Sequence, residues 1–148
     1  MILGSMPSVA SLQKQQYYGH PRNAFWPLLA HLLGFEISEH YTANVEQAKA
    51  HDIAIWDVIG ECERPGSLDS AIVKGSERIN RIPELVTKHP DLMRIGLNGG
   101  TAVKLFKRHC LPNLDAGRVT IFALPSTSPA NAGMTFEAKC EAWRPIFG

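Results

Sequence analysis

Four short apolar runs, separated by stretches of helical spacing, constrain what this chain can fold into. The runs are Met1-Ile2-Leu3, Ile53-Ala54-Ile55-Trp56-Asp57-Val58-Ile59, Leu92-Met93-Arg94-Ile95-Gly96-Leu97-Asn98 and Val119-Thr120-Ile121-Phe122-Ala123-Leu124. The 53–59 run is nearly all apolar and β-branched, the pattern of a strand buried on both faces. Between the runs, Phe25, Leu28, Leu29, Leu32 and Leu33 recur at helical spacing up to Gly34, with Pro27 in the first turn. Residues 42–50 read as a weaker helix that Thr42 can cap. Residues 79–89 read as a helix stopped by Pro90, and 101–110 as one with Ala102, Val103, Leu105 and Phe106 inward. Residues 135–147 form a closing helix that frays at Pro145. Buried strands alternating with helices predict an α/β layered domain on a mostly parallel sheet. At 148 residues one domain, 1–148, is the default, with enough chain for a full core.

In a parallel sheet the site lies beyond the carboxyl ends of the strands. The segments that follow the runs are 4–26, the polar loop 57–70, Asn98-Gly99 and 125–133. Within the second, Ser67-Leu68-Asp69-Ser70 opens a short helical turn. The first segment is broken by Gly4, Pro7 and Gly19-His20-Pro21, so it reads as irregular backbone between a strand and a helix. It is long for such a connection, and it carries four aromatics, an imidazole, a guanidinium and the carboxamide of Asn23. That content suits a binding loop rather than a disordered linker. The last segment, Pro125-Ser126-Thr127-Ser128-Pro129-Ala130-Asn131-Ala132-Gly133, is small, polar and clamped by prolines. Topology alone brings the two together on one edge.

Composition narrows the remaining classes. No apolar run approaches the roughly 18 residues of a membrane helix, and no basic-then-apolar leader opens the sequence, so a cytoplasmic setting is expected. The net charge of +1 neither demands nor excludes nucleic acid; any basic footprint has to be local. Lys104, Lys107, Arg108 and His109 form one cluster, which reads first as a solvated helix end complementing the helix dipole. Cys62, Cys110 and Cys140 are odd in number and widely spaced, without C-x-x-C, which argues against a disulfide framework, a zinc site or an iron–sulfur cluster.

Gly4-Ser5-Met6-Pro7-Ser8 after a first short strand, then His20-Pro21-Arg22-Asn23-Ala24-Phe25-Trp26, then Leu124-Pro125-Ser126-Thr127-Ser128-Pro129-Ala130-Asn131 resemble the uracil-DNA glycosylase superfamily. The likeness is greatest to its hypoxanthine-DNA glycosylase (DNA-deoxyinosine glycosylase) branch. It extends through Trp56-Asp57-Val58, 67–72 and Asn98-Gly99, nearly the whole chain. The resemblance implies a three-layer α/β/α sandwich on a central four-stranded parallel sheet, and a hydrolase that needs no metal or cofactor. It implies excision of a deaminated base, hypoxanthine first, from DNA by base flipping. DNA is then the partner, with no membrane, and a monomer is expected. Met6 stands where much of the superfamily carries a catalytic Asn or Asp, and a thioether neither positions nor deprotonates water. Leu124 stands where many members carry the His or Asn that holds the departing base. The hypoxanthine branch shares both departures and relies on the asparagine of His-Pro-x-Asn, here Asn23.

Each candidate has a plainer reading. On spacing alone Asn23 caps the helix that follows; the resemblance makes it the catalytic group that holds a water by its amide. His20 serves either as a catalytic donor to the leaving purine or a phosphate, or as a structural hydrogen bonder in a tight turn. Tyr18 stacks on the flipped base or is a partly buried loop residue. Gly4, Ser5 and Met6 bring backbone close to the base, with N–H groups that can stabilise developing negative charge. Arg22 meets a DNA phosphate or solvent. Ser126 and Ser128 grip DNA, with Ser126 also near the base, or simply shape a clamped turn. Asp57 hydrogen-bonds the site or caps the next loop, the second reading being the simpler. Phe25 and Trp26 read as core. No lysine lies in the first or last segment except Lys14, which predicts a monofunctional enzyme without lyase chemistry. The alternatives are a mismatch-specific uracil or thymine glycosylase, and a catalytically idle α/β module that binds nucleic acid.

Overall fold

The computed structural model describes residues 1–115 and 117–148. Its central sheet has four strands, β1 (Ile2–Gly4), β2 (Ile55–Asp57), β5 (Arg94–Asn98) and β6 (Thr120–Leu124). They run in the order β2-β1-β5-β6, and every pairing is parallel. Strands β3 (Ile59–Glu61) and β4 (Arg78–Ile79) form a small antiparallel ribbon beside it. Helices are α1 (Val9–Lys14), α2 (Phe25–Leu33), α3 (Tyr41–Ala50), α4 (Ile82–Lys88), α5 (Gly100–His109) and α6 (Phe136–Trp143). The expected three-layer α/β/α sandwich on a four-stranded parallel sheet is the observed architecture.

Alternation along the strands creates the layers. Ile2 and Leu124 face one core, with Phe25, Trp26, Leu28 and Leu29 of α2, Ala48 of α3, and Cys140 and Trp143 of α6. Leu3, Ile95 and Leu97 face the other, with Ile82 and Val86 of α4, and Ala102, Phe106 and Cys110 of α5. A period of two side chains per strand repeat produces this sorting. Gly96 lies where a Cβ would stand 2.4 Å from Ile146 Cδ1 and 2.7 Å from Leu124 Cδ1, so the missing side chain lets the C-terminal turn press onto the sheet.

Several boundaries differ from the sequence expectation. The 53–59 run is not one strand. It leaves the sheet after Asp57, and Ile59 pairs with Ile79 in the ribbon. β2 is an edge strand with β1 as its neighbour, so neither Ile55 nor Trp56 is fully buried. A continuous β-branched run looks the same whether or not its partner changes. Ile79 therefore belongs to β4, and the helix expected from it starts at Ile82, with Pro83 in its first turn. The first loop is not wholly irregular, because Ser8 caps α1 by accepting from the Ser11 N–H at 3.1 Å. Thr42 lies inside the first turn of α3 and caps nothing; His40 holds the cap position without a side-chain bond.

Candidate active site

The carboxyl ends of all four sheet strands open into one cavity of about 520 Å³. β1 leads into Gly4, Ser5 and Met6, β2 ends at Asp57, β5 ends at Asn98, and β6 leads into Ser126, Thr127 and Ser128. β1 and β5 are neighbours whose connections leave in opposite directions across the sheet, and such a divergence leaves a crevice.

The first loop folds back on itself to form one wall. Ser11 of α1 accepts from the Gly19 N–H at 2.9 Å and from Ser8 Oγ at 3.0 Å, which closes the loop. Arg64 donates to Pro7 O, and the Val9 N–H donates to Ser67 Oγ at 2.9 Å, so the 61–70 segment is strapped to it. Ser5 Oγ donates to Asp69 Oδ1 at 2.7 Å, in the short helical turn expected near 67–70. Tyr18 has φ +55°, a left-handed conformation that costs a bulky residue roughly 1–3 kcal/mol. Its ring stacks against Phe25 with centroids 3.9 Å apart and 20° between planes. Its hydroxyl is buried without a hydrogen-bond partner among the described residues. Burial, then the nearby Asp57, hold the phenol well above its ordinary pKa; the Asn98 amide is near enough to oppose this, but its geometry is too poor for a hydrogen bond, since both of its polar atoms are turned to Thr127.

The last loop forms the opposite wall and is held by its own bonds. Thr127 donates its N–H to Asn98 Oδ1 at 3.0 Å, and Asn98 Nδ2 donates to Thr127 Oγ1 at 2.9 Å. The Ser128 N–H donates to Ser126 Oγ at 3.1 Å, and Asn131 Nδ2 to Ser126 O at 3.0 Å. Trp143 Nε1 donates to Pro125 O at 2.9 Å from below. The Ala24 N–H donates to Thr127 O at 3.0 Å, which ties this loop to the start of α2 and sets Asn23 beside it.

Asn23 lines the cavity, and its Oδ1 accepts from the Phe25 N–H at 3.0 Å. The helix-cap position itself is Ala24, whose side chain cannot cap. The helix terminus thus fixes the amide, and its carbonyl oxygen keeps a second lone pair. Gly4, Ser5, Met6, Tyr18, Ser126 and Ser128 also line the cavity. His20 and Arg22 stand outside that lining. His20 Nδ1 accepts from the Arg22 N–H at 3.1 Å within the turn, and Arg22 is exposed. Leu124 is buried in the core with Ile2 and Trp143 and is outside the cavity lining. Lys107, Arg108 and His109 lie in the last turn of α5, away from the strand ends that form the cavity.

Asp57 is the residue that sequence reasoning underrated. It is 6% exposed, lines the cavity, and its carboxyl caps no loop. Burial first, and the Asp69 charge second, push its pKa up to about 7. The available signal was its place at the end of a strand on the site edge; its lack of partners appears only when the neighbouring loops are in place.

A profile of the Uracil DNA glycosylase superfamily matches residues 1–146. A protein named hypoxanthine DNA glycosylase from Methanosarcina acetivorans is 36% identical over 148 aligned residues, covering 99% of this chain and 89% of that protein. One of the same name from Methanosarcina barkeri is 39% identical over 100 residues, covering 67% of this chain and 62% of the relative. The solution NMR structure of a candidate uracil DNA glycosylase from Methanosarcina acetivorans superposes with a TM-score of 0.80 at 35% identity. That match covers 99% of this chain and 86% of the other.

Proposed function

The chain belongs to the uracil DNA glycosylase superfamily, and from that premise we propose that it is a monofunctional DNA glycosylase that hydrolyses the N-glycosidic bond of deaminated bases, hypoxanthine foremost. The observation that carries this reading is Asn23, anchored by the α2 terminus in the wall of a cavity built from all four strand ends. Cleavage of a base from deoxyribose passes through oxocarbenium-like character at the sugar. Such a cation needs a placed nucleophile more than a strong one, so an amide that holds a water suffices. The target base reaches the cavity by leaving the stack, since its glycosidic bond is inaccessible inside a duplex. Tyr18, backed by Phe25, offers it an aromatic surface. Gly4, Ser5 and Met6 supply backbone beside it, Ser126 and Ser128 contact the DNA, and exposed Arg22 meets a phosphate at the rim. His20 stays a secondary candidate, as a donor from the adjoining turn. The cavity lining has no lysine, which supports hydrolysis without an imine step.

The hypoxanthine assignment draws on the two relatives named for that activity, and on Met6 and Leu124, which remove the two side chains of standard uracil excision. The test is base release from oligonucleotides carrying one hypoxanthine, uracil or xanthine, with alkali to reveal abasic sites. Asn23→Ala is expected to lose hypoxanthine release to background while keeping the wild-type circular dichroism spectrum. Normal turnover by that variant returns Asn23 to a helix-terminus role. DNA binding without release from any substrate makes the protein an idle binding module.

A further inference from the structure

Asp57 ends β2 at the floor of the cavity, and nothing among the described residues hydrogen-bonds its carboxyl. Its Oδ1 lies 2.5 Å from the point where a Cβ on Gly4 would stand, and the Tyr18 hydroxyl lies 3.2 Å from that same point. The missing side chain of Gly4 is thus what lets these two polar groups sit together. The Tyr18 hydroxyl has no partner either. Buried polar groups almost always find partners, so an unpartnered buried hydroxyl beside a carboxyl that lines the cavity points to a ligand that completes them.

The groups that face Asp57 are few. Asp69 approaches from the turn Asp69–Ala71, and Tyr17 and Tyr18 approach from the first loop. Asp69 is already engaged by Ser5 Oγ at 2.7 Å. The lining contains no histidine, lysine, arginine or cysteine. Burial and the Asp69 charge both favour the protonated carboxyl, with a pKa of about 7. Near neutral pH a substantial share of the molecules therefore holds a proton at the floor of the site, where the other carboxyl, Asp69, is engaged by Ser5.

We propose that Asp57 is a catalytic residue, the general acid that protonates a ring nitrogen of the departing purine. The inference rests on the glycosylase reading given above. The C1′–N9 bond breaks with its electron pair moving onto the base. The Asp57 O–H proton passes to a ring nitrogen, so the base leaves neutral rather than as an anion. The water held at Asn23 adds its oxygen to C1′, and the proton it sheds restores the Asp57 carboxyl by way of solvent.

The test is the single-turnover rate of hypoxanthine release between pH 5 and 9, for wild type and Asp57→Asn. The wild-type rate is expected to fall about tenfold per pH unit above roughly pH 7, because the acid form is the active one. Asp57→Asn is expected to lose about 10²- to 10⁴-fold at pH 6, the usual range for general acid catalysis, and to show no falling limb. A variant that keeps the wild-type rate and the same limb overturns the proposal. So does a wild-type rate that rises with pH through 7, which would make the carboxylate the working form; this result needs no variant. Wild-type protein that releases no hypoxanthine at any pH refutes the glycosylase reading itself, a result distinct from either of these.

Discussion

Two strand ends on the same edge of the sheet hold buried polar side chains, and they are treated in opposite ways. Asn98, at the end of β5, exchanges two hydrogen bonds with Thr127, at 2.9 and 3.0 Å. Asp57, at the end of β2, has none on its carboxyl and lies beside a Tyr18 hydroxyl that also has none. Burial is similar, 9% exposure for Asn98 and 6% for Asp57, so depth does not separate them. The difference is whether the protein completes the group. A satisfied carboxamide pins the last loop to the sheet and gives the site a fixed wall. An unsatisfied carboxyl leaves hydrogen-bonding capacity, and a proton, for whatever enters the cavity. A polar group of this second kind lowers the stability of the folded chain, so its presence is itself a sign of function.

The comparison can be broken by substitution. The largest expected effect is on stability at Asp57. Its folded pKa of about 7 lies above its ordinary value of 3.8, so between those values the unfolded chain ionises while the folded one stays protonated. Wild-type stability therefore falls as pH rises through that window and is flat above it. Asp57→Asn removes the titration, and its stability relative to wild type should climb by up to roughly 4 kcal/mol from pH 4 to pH 8. Urea melts at the two pH values measure this; parallel curves would show that the carboxyl is not held protonated.

Asn98→Ala comes next, with the opposite sign. It removes both bonds to Thr127 and leaves a buried N–H without an acceptor, at a loss of about 2–3 kcal/mol at every pH. Faster hydrogen exchange at Thr127 should accompany the loss. A neutral result would mean that the last loop is held by its other contacts alone, namely Trp143, Asn131 and Ala24.

The smallest effect is expected at Tyr18→Phe. The hydroxyl is buried without a partner, so its removal should stabilise the protein by about 1 kcal/mol, seen as a higher melting temperature. The stacking on Phe25 is retained. Destabilisation instead would show that the hydroxyl has a partner in solution and would erase the contrast with Asn98.

Much of the architecture was legible in the residues. Apolar runs alternating with helical spacing determined the α/β class, the parallel sheet and the edge on which the loops meet. Period and burial are local properties of a sequence, and they survive without knowledge of partners. The three motif-bearing segments placed Gly4, Ser5, Met6, Tyr18, Asn23, Ser126 and Ser128 near one another, and all seven line the cavity. Only the tertiary structure decided what depends on contacts between distant residues. It broke the 53–59 run after Asp57, because Ile59 found Ile79 as its partner. It turned His20 and Arg22 out of the lining, where the imidazole serves its own turn. It buried Leu124 in the core. It left Asp57 unpaired while completing Asn98, a distinction absent from the sequence because a carboxyl's protonation and partners are set by the groups that fold brings around it.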